Sequence, residues 1–375
     1  MNAPLSPAAE LRANVALPFA QARAMPKSVY TSAEFLAQEQ AHIFAREWLC
    51  AGRAEALPNP GDYLTMTIAG EPVIVLRDRD GQIRAMSNVC RHRMSTLLEG
   101  RGNARAIVCP YHAWTYNLDG SLRGAPAMTL NEGFCKTDHA LPQIRTEIWL
   151  GWILVTLDSD APSSATRLAA VEDLVGKYHM EKYREDFREG FRWATNWKVL
   201  AENFMESYHL PICHQDTIGG HVDLNKMTCP EGFEAFNYHH IIKNDALDLT
   251  LAHPTNTALE GDERRTTWLL TIYPSLMITL TPGYFWYLSL TPDGPGHVNV
   301  LYGGGLAPEF VSDPKSREHF ARLKTLLDEV NDEDKGCTER VYRGITAGLS
   351  EPGHLSHLER PNWEFARYIA SRIPV

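Results

Sequence analysis

Residues 196–214 have the sequence NWKVLAENFMESYHLPICH, and the rest of the chain is interpreted around this stretch. Lys, Leu, Ala, Glu and Met dominate it as far as Tyr208 and favour a helix, which Pro211 is expected to end. His209 would then lie at the helix end, and His214 would follow on a turn that can fold back towards it. Two histidines of this kind, completed by one oxygen ligand, would form the ligand set of a non-haem iron site.

The same helix carries acidic residues close to the first histidine. Glu202, Glu206 and His209 lie at positions i, i+4 and i+7, so they are predicted to share one helix face. An exposed helix acid is the simplest interpretation of Glu206. Glu202 is expected to be structural or to support a ligand.

The third ligand is expected on a long helix from about Pro314 to Ile345. Positions that step by three and four along it form one apolar stripe facing the core, and Asp334 is the only acid on that stripe. The other members of the stripe are Phe320, Leu323, Leu327, Val330, Cys337, Val341 and Ile345. A buried carboxylate is costly without a counter-charge, so Asp334 would face either a bound Fe(II) or a buried Arg or Lys. Cys213 and Cys337 would then lie near the iron as buried free thiols.

A second set of metal-binding residue types comes earlier in the chain. It consists of Cys90-Arg-His92 and, after sixteen intervening residues, Cys109-Pro-Tyr-His112. Each half offers one thiolate and one imidazole, whereas zinc fingers normally pair Cys with Cys first. Two hairpin loops of a β domain could place both thiolates on one iron and both imidazoles on the other, which is the ligation of a Rieske [2Fe–2S] cluster. A zinc site and four unrelated core residues are the alternatives.

The composition narrows the class of protein. The chain has 375 residues, enough for two domains, and its net charge of −10 argues against a nucleic-acid binder. Its seven Cys show no short disulfide framework, which indicates a reducing compartment. The N-terminus lacks the pattern of a signal peptide, and the apolar runs 148–157 and 268–290 are too short or too interrupted to cross a bilayer. We therefore predict a cytoplasmic protein without a membrane span.

The order of elements predicts an α+β protein. Residues 1–25 are expected to be loosely structured, and Thr31 to Trp48 to form a helix capped by Ser32. Short strands and turns follow from about Leu49 to Asp158, including one buried strand from Trp149 to Leu157. Four later strands are expected to form one antiparallel sheet: Trp268–Tyr273, Leu276–Thr281, Tyr284–Leu290 and His297–Tyr302.

Together these motifs resemble the α subunit of the Rieske non-haem iron oxygenases. The motifs that carry the resemblance are Cys90-Arg-His92, Cys109-Pro-Tyr-His112, Asn196-Trp-Lys198 and Glu206-Ser-Tyr-His209 with His214. The resemblance implies an N-terminal helical segment (1–44) that packs on the catalytic domain, an all-β Rieske [2Fe–2S] domain (45–160) and a catalytic helix-grip domain of the START/Bet v1 type (161–375). It also implies that His209, His214 and Asp334 bind a mononuclear Fe(II) that activates O₂.

The resemblance gives Glu206 a more specific role. Its carboxylate would hydrogen-bond His209 and, across a subunit interface, His112 of the partner subunit, so that electrons pass between subunits of a homotrimer. Most relatives have Asp at this position, and Glu is similar to the carnitine-type, quaternary-ammonium branch of the family. We therefore expect a monooxygenase that acts on a quaternary-ammonium or betaine-type compound, with C–N cleavage or N-demethylation as the outcome.

Other functions stay open at this stage. An aromatic or heteroaromatic acid hydroxylase or O-demethylase is the alternative within the family, and a Rieske electron-transfer protein without oxygenase activity is the alternative outside it. Aromatic side chains on the late strands, Trp268, Tyr284 and Trp286, are candidates for the substrate pocket. The chain has no credible G-x-G-x-x-G after a strand, so NAD(P)H electrons are expected from a separate flavin and [2Fe–2S] reductase, alone or with a ferredoxin.

Overall fold

The computed structural model describes residues 5–221, 223–243, 250–311, 313–349 and 351–374. Its contacts divide the chain into two compact units. One unit comprises residues 44–166, and the other combines the residues up to 43 with those from 167 onwards.

The first residues of the chain form helices, α1 (Pro7–Val15), α2 (Lys27–Thr31) and α3 (Ala33–Glu39). The expectation of a loosely structured start is wrong, because α1 is capped by Ser6 and buries Leu11. Ser32 caps α3 as predicted, accepting the backbone N–H of Phe35 at 3.1 Å. A π-helical turn, Gln40–Phe44, continues α3, so this helical segment ends at Phe44 and not at Trp48.

Residues 44–166 form an all-β unit, as predicted. Its strands are β1 (Leu49–Arg53), β2 (Asp62–Ile68), β3 (Glu71–Arg77), β4 (Ile83–Ser87), β5 (Arg101–Asn103), β6 (Ile107–Val108), β7 (Thr115–Tyr116), β8 (Leu122–Gly124), β9 (Gln143–Trp149) and β10 (Trp152–Thr156). They pair antiparallel in a seven-stranded sheet of order β1-β10-β9-β4-β3-β2-β5 and a three-stranded sheet of order β6-β7-β8. A buried cluster that includes Ile74, Met86, Trp114 and Tyr116 fills the interior.

The stretch from Trp149 to Leu157 is a hairpin and not the single strand that its apolar run predicts. Leu150 and Gly151 both have positive φ, 44° and 85°, so they reverse the chain between β9 and β10. A Cβ atom at Gly151 would come within 2.6 Å of the Arg53 guanidinium, so the turn needs glycine there. The hydrophobic run hid the turn because only one of its residues is a usual turn residue.

The other unit contains one antiparallel sheet and a long helix, as predicted. Its strands are β11 (Arg184–Trp193), β12 (Met227–Thr228), β13 (Phe236–Ile242), β14 (Thr266–Ile272), β15 (Leu276–Leu280), β16 (Tyr284–Pro292) and β17 (Val298–Leu306), in the order β11-β17-β16-β15-β14-β13-β12. The helices after residue 163 are α4 (Ser164–Arg167), α5 (Ala169–Val175), α6 (Trp197–Met205), α7 (Leu210–Cys213), α8 (Pro308–Val311), α9 (Pro314–Ile345) and α10 (Arg360–Arg372). Helix α6 contacts β14 and α9, so the sheet and the long helix both border it.

The start of α6 is fixed by a buried polar network around the Asn196-Trp-Lys198 motif. Asn196 caps the helix, and its amide donates to the carbonyls of Tyr30 and Pro295 at 3.0 and 2.8 Å. Lys198 forms an ion pair of 2.8 Å with Glu39, and the indole N–H of Trp197 donates to the same carboxylate. The motif therefore holds α6 against the N-terminal helices, and α6 leads directly to Glu206 and His209.

Within the described residues, no helix combines the length and the apolar character that a bilayer span requires.

Candidate active site

His209, His214 and Asp334 come together from two distant parts of the chain. His209 Nε2 lies 3.4 Å from Asp334 Oδ1, and His214 Nε2 lies 3.1 Å from the same oxygen. One candidate ligand atom from each residue lies within 4.8 Å of the other two. The imidazole centroids are 5.3 Å apart. The structure thus assembles the three residues that the sequence analysis selected as one group.

Helix α6 is shorter than predicted, which changes how Glu206 reaches His209. It ends at Met205, and Glu206 has extended backbone angles, φ −125° and ψ 159°. The Glu206 carboxylate accepts the backbone N–H groups of Tyr208 and His209, the latter at 3.1 Å. Side chains that bond nearby N–H groups in this way compete with a continuing helix. The prediction that Glu202, Glu206 and His209 share one helix face is therefore wrong.

Pro211 does not end a helix but lies at the beginning of one. It occupies the first turn of α7, where its missing N–H is not needed. His209 immediately precedes α7 and His214 immediately follows it. This single short helix, and not a bend back from a helix end, brings the two imidazoles together.

Two carboxylates determine which nitrogen of each imidazole faces the centre of the His209, His214 and Asp334 group. Nδ1 of His209 donates to Glu206 at 2.6 Å, and Nδ1 of His214 donates to Glu333 at 2.7 Å. Thr217 also donates to Glu333, at 2.6 Å. With the proton on Nδ1, the lone pair of each Nε2 points towards Asp334. Glu333 was not predicted from the sequence, although its position next to Asp334 is a usable signal.

The atoms that meet in this group need a cation between them. Nε2 of His214 and Oδ1 of Asp334 are buried and make no hydrogen bond, although they are close. Burial disfavours a protonated His209, but the nearby carboxylates of Asp334 and Glu206 outweigh burial and raise the pKa of His209 to about 10. The group therefore demands positive charge, and two imidazoles with one carboxylate are the ligands of a non-haem Fe(II) site. The residues present fit that metal.

Helix α9 supplies Asp334 from its core-facing side. Leu327 and Val330, two turns and one turn earlier, are buried. Val341 is 52% exposed, so the predicted stripe does not reach the end of the helix. The Asp334 side chain is 14% exposed and faces the two histidines, and no Arg or Lys among the described residues forms an ion pair with it.

Cys213 and Cys337 are joined by a disulfide, so the prediction of two free thiols is wrong. Their Cα atoms are 6.8 Å apart. Cys213 ends α7 and directly precedes His214, while Cys337 lies one turn beyond Asp334 on α9. The prediction failed because sequence spacing does not reveal that α7 packs against α9.

The Cys–His motifs of the other unit form two loops with the same backbone hydrogen bonds. The N–H of Cys90 donates to the carbonyl of Ser95 at 2.9 Å, and the N–H of Cys109 donates to the carbonyl of Trp114 at 2.8 Å. In each loop the fourth residue after the cysteine, Met94 or Ala113, has positive φ and donates its N–H back to the cysteine carbonyl. Two matching loops therefore present one cysteine and one histidine each.

The two cysteines and the two histidines of these loops differ in their exposure to solvent. Cys90 and Cys109 are buried, at 1% and 4% exposure, whereas His92 and His112 are exposed with ring centroids 4.8 Å apart. Burial opposes ionisation of Cys109, but backbone N–H groups of Tyr111 and His112 lower the pKa of its thiol. Buried thiolates on one side and imidazoles on the other fit a [2Fe–2S] cluster ligated by Cys₂ and His₂.

A cavity of about 770 Å³ opens onto the His209, His214 and Asp334 group. Apolar side chains dominate its wall, and the aromatic ring of Phe204 packs edge-on against Trp286 at 5.7 Å. The cavity walls include Phe204, Tyr284, Trp286, Leu323, Leu327 and Val330. Its volume is that of a small-molecule site.

Trp268 does not face this cavity, so its assignment to the substrate pocket is wrong. It lies on β14 between Thr267 and Leu269, which do line the cavity, and neighbouring residues of a strand point to opposite faces. Its indole N–H donates to the Tyr178 hydroxyl at 2.9 Å, and its ring contacts His240. Tyr284 and Trp286 share the cavity-facing side of β16, and their assignment to the substrate pocket stays a prediction. The error arose because the sequence does not show which strand face lies inward when both faces carry apolar residues.

Glu202 is a buried acid outside the metal group. Tyr30 donates its hydroxyl hydrogen to this carboxylate, at 2.8 Å from Oε2. Burial raises the pKa of Glu202 to about 8, although the hydrogen bond from Tyr30 and the charge of Lys198 act in the opposite direction. The side chain is therefore protonated in the folded protein at neutral pH.

Glu202→Gln is expected to make thermal stability less dependent on pH. The pKa of Glu202 is about 8 in the folded protein, which is higher than in the unfolded chain. Such a carboxyl group contributes its full stabilisation below about pH 4.5, and this contribution is lost as the pH rises to 8. The loss is at most about 1.4 kcal/mol per pH unit. Melting temperatures of both proteins between pH 5 and 9 should diverge with rising pH, in favour of Gln. Parallel curves, or the same divergence in the exposed-site control Glu181→Gln, would contradict this assignment.

Comparisons with known proteins place both units. Residues 175–374 match the ring hydroxylating alpha subunit (catalytic domain) family, and residues 47–137 match the Rieske [2Fe-2S] domain. The chain is 32% identical to the glycine betaine monooxygenase oxygenase subunit of Pseudomonas aeruginosa, over 94% of this chain and 89% of that protein. It is 35% identical to the carnitine monooxygenase oxygenase subunit of Acinetobacter baumannii, over 50% of this chain and about half (52%) of that protein.

The fold is also that of a solved structure. The quaternary ammonium Rieske monooxygenase CntA in complex with L-carnitine superposes with a TM-score of 0.81 at 24% identity, covering 96% of this chain and 98% of that one. The catalytic-domain match alone spans more than half of the sequence, and the Rieske match lies ahead of it. The chain therefore belongs to the family of ring-hydroxylating oxygenase α subunits and is a Rieske non-haem iron oxygenase.

Proposed function

We propose that this oxygenase hydroxylates a small quaternary-ammonium compound of the betaine type. The observation that carries the proposal is a largely apolar cavity with aromatic walls, opening directly onto His209, His214 and Asp334. Aromatic faces attract quaternary ammonium groups through cation–π interactions. The relatives support the same substrate class, since they are monooxygenases of glycine betaine and carnitine.

We assign the two metal sites as follows. Cys90, His92, Cys109 and His112 hold the [2Fe–2S] cluster, and His209, His214 and Asp334 hold Fe(II). When bound, these groups supply single electrons and the activation of O₂, respectively.

The side chains around the iron site position the ligands and the substrate. Glu206 and Glu333 hold the two imidazoles in the tautomer that offers Nε2 to a metal. Tyr284, Trp286 and Phe204 provide the apolar wall that excludes water and orients an N-methyl group towards the ligands. Hydroxylation of a carbon attached to nitrogen gives a carbinolamine-type product, which collapses with cleavage of the C–N bond.

A substrate panel tests the proposal. The purified protein, supplied with a reductase and NAD(P)H, is offered betaines, carnitine, choline, methoxy-aromatic acids and plain aromatic acids, and product mass and formaldehyde are measured. We expect products from the quaternary-ammonium compounds. Turnover of the aromatic acids alone would replace the proposed substrate class by the aromatic acid hydroxylase or O-demethylase alternative.

Glu206 is also the proposed link to a neighbouring subunit. Its carboxylate contacts His209 at 2.6 Å, and in a ring of subunits it would contact His112 of the partner subunit. Inter-subunit electron transfer is described for a structurally similar quaternary ammonium Rieske monooxygenase, which supports the idea. We propose a homotrimer that receives electrons from a separate flavin and [2Fe–2S] reductase, alone or with a ferredoxin. Location in the cytoplasm stays a prediction, favoured by the thiols that the cluster requires.

Glu206→Gln is expected to slow reoxidation of the reduced cluster by O₂ and substrate by about 10- to 100-fold, because the amide lacks the charge that supports His209. Reduction of the cluster by the reductase should be unchanged. Stopped-flow absorbance of the cluster measures both steps. Glu202→Gln, one turn earlier along the chain and without contact to His209 among the described interactions, is the matched control. An unchanged reoxidation rate in Glu206→Gln would remove Glu206 from the electron path.

A further inference from the structure

Lys243 is the only Lys or Arg among the described residues that line the cavity. It directly follows β13, and its backbone N–H donates to the carbonyl of Arg265 at 3.0 Å, one step beyond the last pair of β13 and β14. The side chain is partly buried, and among the described residues no carboxylate forms an ion pair with it. Burial lowers the pKa of Lys243. A desolvated ammonium that has no counter-ion among the described residues is a suitable group for binding an anion.

The register of β13 gives the distance between Lys243 and the metal group. His239, Ile241 and Lys243 alternate along the strand and so share one face of the sheet. His239 is hydrogen-bonded at 2.9 Å to Ser207, two residues before His209, so this end of the strand lies beside the metal ligands. Lys243 lies four residues further on, about 13 Å along the strand. Its four-carbon stem can span part of that distance back towards the metal.

Two aromatic residues of β16 lie on the same face of the sheet. Pairing across the sheet places Trp286 in the same row as His239, through Leu269 and Thr279. Tyr284 lies two residues further along β16, in the direction of Lys243. Trp286 thus lies level with the end of the face that is beside the metal ligands, Tyr284 comes next, and Lys243 follows beyond it. An elongated molecule with a quaternary ammonium at one end and an anion at the other matches this order.

We propose that Lys243 binds the carboxylate of a zwitterionic trimethylammonium substrate and so selects zwitterions over quaternary ammonium alcohols. The inference rests on the proposed function and adds the residue that binds the end of the substrate that lies away from the iron. Asp223, a charged residue that also lines the cavity, accepts the backbone N–H of Asn225 at 3.0 Å and its side-chain amide at 3.1 Å. Lys243 is therefore the group on the described wall that can compensate a substrate carboxylate.

The test compares a zwitterion with a cation in the same enzyme. Lys243→Met removes the charge and keeps an unbranched side chain of similar length, and Lys243→Arg restores the charge. With γ-butyrobetaine, we expect Lys243→Met to raise KM and the Kd measured by calorimetry on the iron-loaded protein by about 10- to 100-fold, with little change in kcat. With choline, both constants should be unchanged, and Lys243→Arg should recover most of the lost affinity for γ-butyrobetaine.

The controls separate this inference from the proposed function. Lys177→Met, which removes an exposed lysine paired with Glu263 outside the cavity, should behave as wild type with both compounds. Equal losses for choline and γ-butyrobetaine in Lys243→Met, or no loss for either, would overturn the role of Lys243 while leaving the proposed function in place. Absence of binding and turnover of both compounds by the wild type would overturn the proposed function, and the inference with it.

Discussion

Replacing Asp334 by alanine is expected to abolish product formation while leaving the visible absorption of the [2Fe–2S] cluster unchanged. Asp334 Oδ1 is the point where His209 Nε2 and His214 Nε2 converge, at 3.4 and 3.1 Å. Without it the site keeps two neutral imidazoles, which are too few ligands and carry no charge to hold Fe(II). We expect turnover to fall by more than the roughly 10- to 100-fold that is typical when a group supporting a ligand is lost.

Iron content and spectra measure this directly. The variant should lose about one iron atom per chain, the mononuclear one, because the proposed cluster ligands lie in the other unit. Asp332→Ala, an acid two residues earlier on α9 that lies outside the metal group, is the matched control and should keep wild-type iron and activity. Product formation by Asp334→Ala at a wild-type rate would show that another residue supplies the carboxylate. His209→Ala is expected to give the same result as Asp334→Ala.

The sequence predicts Asp334 well and the surroundings of His209 poorly, for a physical reason. The stripe on α9 extends over many turns, so its periodicity averages out local exceptions and isolates the one acid on it. The end of α6 depends on one side chain, Glu206, whose bonds to two backbone N–H groups replace the next helical turn. Helix propensities contain no such interaction, so they extend the helix too far, to Tyr208.

Contacts between distant segments explain the remaining differences. Glu333 was missed and Cys337 was wrongly predicted to be a free thiol because their partners, His214 and Cys213, lie at the end of α7. The sequence does not show that α7 packs against α9. The inward face of β14 could not be chosen from its residues, which led to the wrong assignment of Trp268. Lys243 was missed since a single lysine after a strand carries no signal until the cavity is known.

The second large effect is expected at the ion pair of Lys198 and Glu39. Their side chains are 1% and 0% exposed, and Nζ lies 2.8 Å from Oε1. Burial raises the pKa of Glu39 and lowers the pKa of Lys198, so each charge persists only because the other is present. Lys198→Met leaves Glu39 buried with only the indole N–H of Trp197 as a strong donor among the described contacts. We expect a loss of about 3–5 kcal/mol in the free energy of unfolding, measured by urea denaturation.

A double variant distinguishes the net contribution of the ion pair to the free energy of unfolding from the destabilisation caused by leaving one buried charge without its partner. Glu39→Gln with Lys198→Met removes both charges and keeps an oxygen that can accept from Trp197, so it should recover most of the stability lost in Lys198→Met. Lys177→Met breaks the exposed pair with Glu263, also 2.8 Å, and should cost less than about 1 kcal/mol. If Lys198→Met costs no more than this control, the buried pair does not hold α6 in place. If the prediction is correct, the single variant should also weaken the iron site, because α6 carries the cavity residues Asn203 and Phe204 and leads directly to Glu206.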